Sequence, residues 1–162
     1  MSVPFESPLV TEAVGGDQHA LVFLRSMASV MHTWDDLIDK DREVSDGEIN
    51  AAFWLALVEL PANPFYAAHA DMLRPIVVQS ILNWRAATQM EREATCEQYN
   101  DLKIAFIIRS TYIDLVVMSA CVLGGPDWAA KVAPDLRRWA HSEGFKGYLD
   151  ALAAEKGARE GE

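Results

Sequence analysis

Asp35, Asp36, Asp39 and Asp41 fall within seven residues at the end of an otherwise apolar stretch, with His32 and Trp34 just ahead of them. On a helix, residues three and four apart are neighbours, so Asp39 stands one turn beyond Asp35 and Asp36, and His32 one turn before them. Like charges roughly 6 Å apart at an effective dielectric of about 20 repel by about 2–3 kcal/mol per pair. Something must offset that repulsion. Solvation with Lys40 or Arg42 would do so on a surface, and a hard divalent cation bridging the oxygens would do so in a binding site. The interleaved Trp34, Leu37 and Ile38 favour the second, since a purely solvated face needs no apolar company.

The elements that must hold this acidic rung are helical. Leu21, Val22, Leu24, Met27, Ala28, Met31, Trp34, Leu37 and Ile38 recur three or four apart, which predicts a helix from an Asp17 cap to about Asp41. Ser45-Asp46-Gly47-Glu48 has the capping-box pattern and opens a second helix that Pro61 to Pro64 stops. Phe65 to Leu73 reads as a short helix. Pro75 then begins, or kinks, one that runs to about Glu93 with Gln79 and Asn83 on one face. Thr95-Cys96-Glu97-Gln98 repeats the capping box and starts the longest helix, which continues to Leu123 before Gly124-Gly125-Pro126. That helix is apolar nearly all round, so Asn100, Asp101, Lys103, Arg109, Ser110 and Asp114 must pair or line a cavity. A short turn follows from Asp127, and Pro134 opens an amphipathic helix through Lys156 that Gly144 and Gly147 weaken. No strand pattern or internal repeat emerges. The expected class is all-α, a compact multi-helix bundle: a flexible arm over residues 1–16, one domain over 17–156, and a frayed tail over 157–162.

Composition narrows the function. With 162 residues, 51% of them apolar, the chain can bury a single helical core. Its 24 acidic against 14 basic residues, net −10, argue against a nucleic-acid binder, which needs a basic footprint. Cys96 and Cys121 have neither metal-ligand nor redox spacing and read as reduced thiols, which with the absence of a secretory pattern fits a cytoplasmic setting. The run from Ile104 to Gly125 is interrupted by Arg109, Ser110, Thr111 and Asp114, so it reads as a central helix rather than a membrane span. His19, His69 and His141 have no ligand spacing, and Ser26, Ser29 and Ser110 no nucleophile elbow or partner, so nucleophilic catalysis finds no support here.

Trp34-Asp35-Asp36-Leu37-Ile38-Asp39 resembles the aspartate-rich DDxxD motif of class I terpene and prenyl-diphosphate synthases. The order of later features over roughly residues 18–125 is similar to that family's core. Asn83-Trp84-Arg85 lies in a later helix, and Glu97-Gln98-Tyr99 precedes the long apolar one holding Arg109. The resemblance implies an isoprenoid-synthase-like bundle in which Asp35, Asp36 and Asp39 bind Mg²⁺. Arg85, Lys103 and Arg109 would grip a diphosphate, and His32, Gln79, Asn83, Asn100 and Asp114 would line the pocket. The family's second metal motif, an Asn/Asp-Ser/Thr-Glu pattern on a later helix, has no counterpart after residue 125.

The expected function is accordingly a small helical protein that binds Mg²⁺ and a diphosphate compound, with or without turnover, and a homodimer is one way to close its cavity. Two alternatives stand beside it. One is a helical interaction or assembly protein with Trp54, Trp128 and Trp139 as core or interface anchors, core being preferred. The other is an all-α Mg²⁺-dependent nucleotide pyrophosphohydrolase, whose second acidic group would be Glu91, Glu93 or Glu97.

Overall fold

The computed structural model describes residues 7–40, 42–94 and 99–160, with side chains as far as residue 154. The second capping box, with Glu97 and Cys96, lies outside the described residues, as do Asp41 and residues 1–6. Among the described residues every regular element is helical and no strand occurs.

The described residues begin with a helix, inside the stretch expected to be a flexible arm. In α1, Pro8–Ala13, Ser7 caps the Leu9 N–H and Pro8 takes the first turn, where its missing N–H costs nothing. Gly15 and Gly16, at φ +58° and +73°, then turn the chain back. The Pro and Gly residues are therefore punctuation around a short helix, and Val10 and Ala13 bury it in the core.

Asp17 caps α2, Gln18–Asp39, by accepting from the Ala20 N–H. Lys40, in the left-handed region at φ 57°, ends it. The capping box of α3, Asp46–Trp54, forms in both directions between Ser45 and Glu48. Beyond α3 the helix widens into a π-helical stretch, π1, Leu55–Glu59, and closes with α4, Leu60–Ala62. Pro64 starts α5, Pro64–Glu93, which absorbs Pro75 and departs from helical geometry only at His69.

The predicted longest helix is two. Helix α6, Tyr99–Ile108, and α7, Tyr112–Gly124, are separated at Arg109 to Thr111. The Ser110 hydroxyl lies within donating reach of the Ile107 carbonyl, at 2.9 Å, a local contact that competes with the helical ladder, and Arg109 turns inward. By length and composition alone Tyr99–Gly124 could cross a membrane. The break at its middle and the ion pairs of Arg109 instead fit a helix packed within protein. Gly125, at φ +84°, turns α7 into α8, Pro126–Ala140, which runs through Pro134. After a turn at His141 to Glu143, α9 spans Gly144–Glu160, so the expected tail is helical as far as Glu160.

The apolar core sits at one end. Phe23, Leu24, Leu73, Ile113, Leu115 and Leu136 are fully buried where α1, the first half of α2, the first half of α5, α7 and α8 meet. Full burial of each such side chain contributes about 1.5–3 kcal/mol. Trp128 and Trp139 pack against this core, and the Trp128 indole donates to the Ala13 carbonyl at 2.8 Å. Trp54 does not join it, being 59% exposed. Helix α2 is roughly 33 Å long at 1.5 Å per residue, so it leaves the core and carries the rung to the other end, against α5 and the break between α6 and α7.

Candidate functional site

The rung divides by helical angle. Successive residues rotate about 100°, so Asp35 and Asp39 differ by only about 40° and share a face, whereas Asp36 stands about 100° round from Asp35. Asp35 and Asp39 point inward. Asp36 turns aside and takes Arg42 from beyond the helix end, at 2.5 and 2.9 Å, and Arg42 also reaches Glu48 at 2.9 Å.

Arg109 is the centre of the inward group. Its Nη2 donates to Asp35 at 2.9 Å and to Asp39 at 2.5 Å, while its Nη1 donates to Glu91. Trp84 Nε1 donates to Asp35 at 2.6 Å, and its ring lies 5.3 Å from the guanidinium carbon. The Tyr148 hydroxyl, from α9, donates to Glu91 at 2.6 Å. Arg92 approaches Asp39 at 3.7 Å from a half-exposed position. Helices α2 and α5 are thus tied directly to one side chain at the helix break, and α9 is tied to it through Glu91.

Three carboxylates against one well-buried guanidinium leave the group short of positive charge. Burial pushes Asp35 above the ordinary carboxylate range, with Arg109 opposing. Glu91 is likewise raised by burial, against Arg109 and the Tyr148 bond. For Arg109 burial pulls downward, but Glu91, Asp35 and Asp39 outweigh it and the guanidinium is held charged more firmly than usual.

Beside this network opens a cavity of about 100 Å³. Its wall is almost wholly apolar, including Met31, Trp34, Trp84 and Ile113, and its polar edge is Asp35, Arg109, His32 and Ser110. Burial holds His32 below the usual histidine range. The Trp34 and Trp84 rings meet at 4.1 Å. Met31 and Trp34 also wall a second apolar space, of about 470 Å³, roofed by Ala56, Leu60 and Pro61 of the π1–α4 segment.

The other expected site residues lie elsewhere. Gln79 donates to Asn83 at 2.7 Å on the outer face of α5, and Arg85 and Asn100 are exposed. Lys103, also exposed, lies over the Tyr99 ring. Asp114 pairs with Arg137 and, with Gln79, borders a separate pocket between α5, α7 and α8. Of the expected diphosphate grips only Arg109 reaches the rung, and of the expected pocket residues only His32 lines the cavity beside it. Glu91 joins the rung, continuing the buried face of Ser80, Trp84 and Ala87 by one more turn, whereas Glu93 pairs outward with Gln89. Tyr148 had no signal beyond its place on an amphipathic helix. Ser110 is not without a partner, since its Oγ lies 2.9 Å from His141 Nε2.

The arrangement does not suit Mg²⁺. Asp36 diverges from Asp35 and Asp39, the guanidinium occupies the space between those two, and no cluster of three His, Cys, Asp or Glu among the described residues is placed to hold a metal ion. No protein-family model, curated protein or solved structure matches the chain.

Proposed function

We propose that the chain binds an apolar small molecule with a neutral, hydrogen-bonding head in the cavity between α2, α5 and α7. One observation carries this reading: Asp35 and Arg109 belong both to the ion network and to the rim of a space otherwise walled by apolar and aromatic side chains. A small number of fixed polar groups on an apolar wall is the usual composition of a ligand pocket. The carboxylate excess repels a bare anion, while a hydroxyl or carbonyl head can exchange hydrogen bonds with either group. Met31 and Trp34 wall both spaces, so an occupant longer than the first cavity reaches the second only by displacing them.

Thermal unfolding with geraniol, and with geranyl diphosphate in the presence and absence of Mg²⁺, tests this. Geraniol without metal is expected to raise the melting temperature, and Ala28→Phe, which fills the first cavity, to abolish the rise. A melting temperature unmoved by geraniol would end the proposal.

The Mg²⁺-diphosphate form implied by the resemblance is a second reading, favoured by the charge deficit around Arg109, which a divalent cation would relieve. It requires Arg109 to release Asp35 and Asp39. Stabilisation by geranyl diphosphate only with Mg²⁺, lost in Asp35→Asn with Asp39→Asn, would put it first. Glu91 beside the rung extends the same test to a nucleotide, with dUTP hydrolysis as the readout. An assembly role draws on Phe53, Trp54 and Leu57, which are 62%, 59% and 70% exposed along α3 and π1. Concentration-dependent sedimentation reads that role directly.

A further inference from the structure

Helices α7 and α8 run back along each other from the turn at Gly125, so the residues before α7 meet those after α8. Ser110, in the break, and His141, immediately beyond Ala140, are brought together in this way. Their Oγ and Nε2 atoms are 2.9 Å apart although the residues are 31 apart in sequence. The His141 ring rests against Phe106, with centroids 4.6 Å apart. Ser110 lines the wall of the first cavity beside Tyr112 and Ile113, so its pair with His141 stands at the edge of an apolar space.

We propose that Ser110 and His141 are a nucleophile and general-base pair that cleaves a carboxylic ester carrying an apolar arm. A serine within hydrogen-bond reach of a histidine at the edge of a pocket has the arrangement this chemistry needs. Burial, with Arg137 nearby, holds His141 below the usual histidine range, so at neutral pH the ring is uncharged and Nε2 can accept a proton. The hydroxyl has one hydrogen and two candidate acceptors, His141 Nε2 and the Ile107 carbonyl at 2.9 Å. With the ring proton on Nδ1 that hydrogen goes to Nε2, and Oγ is the nucleophile.

Oγ attacks the ester carbonyl carbon as its proton passes to Nε2. The carbon–oxygen bond to the alcohol then breaks, and the alcohol leaves with the proton from Nε2. Water, giving a proton to Nε2, attacks the acyl-serine; the carboxylic acid departs and Oγ recovers its hydrogen. The 13-residue helix α7 starts two residues after Ser110, and the positive N-terminal end of a helix favours negative charge developing near it.

The ester's apolar arm depends on the cavity binding proposed for the chain, whereas the pair itself does not, and two measurements separate them. The full chain is treated with phenylmethylsulfonyl fluoride and the adduct located by peptide mass spectrometry, and hydrolysis of p-nitrophenyl butyrate is followed in parallel. Expected are an adduct on Ser110, its loss in His141→Gln, and a drop in turnover of roughly 10²–10⁴-fold in Ser110→Ala and in His141→Gln. Circular dichroism establishes that each variant is folded; if His141→Gln is not, Ser110→Ala alone decides the turnover. Hydrolysis unchanged in folded Ser110→Ala, or a folded native chain with no adduct on Ser110, overturns the proposal. An adduct on Ser110 without any geraniol stabilisation keeps the pair and removes the cavity reading. Geraniol stabilisation without an adduct does the reverse.

Discussion

Two carboxylate groups meet at the end of α2, and they answer the same repulsion in opposite ways. The outer one joins a half-buried Asp36 to the exposed Arg42 and Glu48 and to the capping box of α3. Donation from the Ser45 backbone N–H, then its hydroxyl, then Arg42, holds Glu48 down to about 2. The inner one, Asp35, Asp39 and Glu91 around Arg109, is largely out of water, and there burial raises Asp35 and Glu91 despite a shared guanidinium. Water and backbone donors stabilise charge in one group, while the other carries charge at a cost that one arginine offsets only in part. A charge-rich motif therefore has no fixed meaning until burial is known.

The largest expected effect comes from removing the inner group's one buried cation. Arg109→Met leaves three carboxylates facing one another and should cost about 3–5 kcal/mol in urea unfolding at pH 7. The sign of its pH dependence is fixed by the raised values. Between the ordinary carboxylate range and the raised values of Asp35 and Glu91, the folded chain holds more protons than the unfolded one. Stability contributed there falls as pH rises through that window. Without Arg109 those values rise further, so the variant's deficit should shrink as pH is lowered toward 5. A deficit that grows on acidification would show the inner group to be held as the outer one is.

Next in size is Tyr148→Phe, which deletes one hydrogen bond to a buried carboxylate and detaches α9 from Glu91. A bond to a charged acceptor contributes about 1.5–3 kcal/mol, and the loss should be read by urea unfolding with hydrogen exchange in α9. Ser45→Ala should cost about 1 kcal/mol through the cap of α3, leaving the inner group untouched.

How much of this contrast could be read before the fold was known depends on the residue. Helix-forming periodicity and two side-chain caps, at Asp17 and Ser45, were local and appear as expected. So was the requirement that a polar residue such as Arg109, inside an apolar helix, find partners. The divergence of Asp36 from Asp35 and Asp39 was implicit in helical geometry, but which side faced inward was not, because Leu37 and Ile38 are each 40% exposed and misreport the buried face. Glu91 and Tyr148 needed the packing of α5 and α9 against α6, a long-range fact with no local trace. Pro8, Gly15 and Gly16 read as an absence of structure because a helix of one to two turns shows no periodicity. The break at Ser110, and with it the approach of His141, was hidden by continuous apolar composition on both sides.

The smallest effect is the sharpest test of the contrast. Glu48→Gln removes a carboxylate whose value is depressed, so the stability it contributes is fully present above the ordinary carboxylate range. That stability fades as pH falls from about 4.5 toward 2. In a pH series of melting temperatures, wild type and Glu48→Gln should converge on acidification, and added salt should narrow their gap at neutral pH because the group is exposed. Glu91→Gln removes a carboxylate whose value is raised and keeps an oxygen that accepts from Tyr148. Its difference from wild type should instead shift in its favour as pH rises through the window where Glu91 ionises, with little response to salt. Opposite slopes for two single-carboxylate variants would locate the difference in solvation, since both carboxylates pair with an arginine and accept a hydroxyl hydrogen bond. Parallel slopes would mean that water reaches the inner group as freely as the outer one, and that the cavity beside Arg109 is open to solvent.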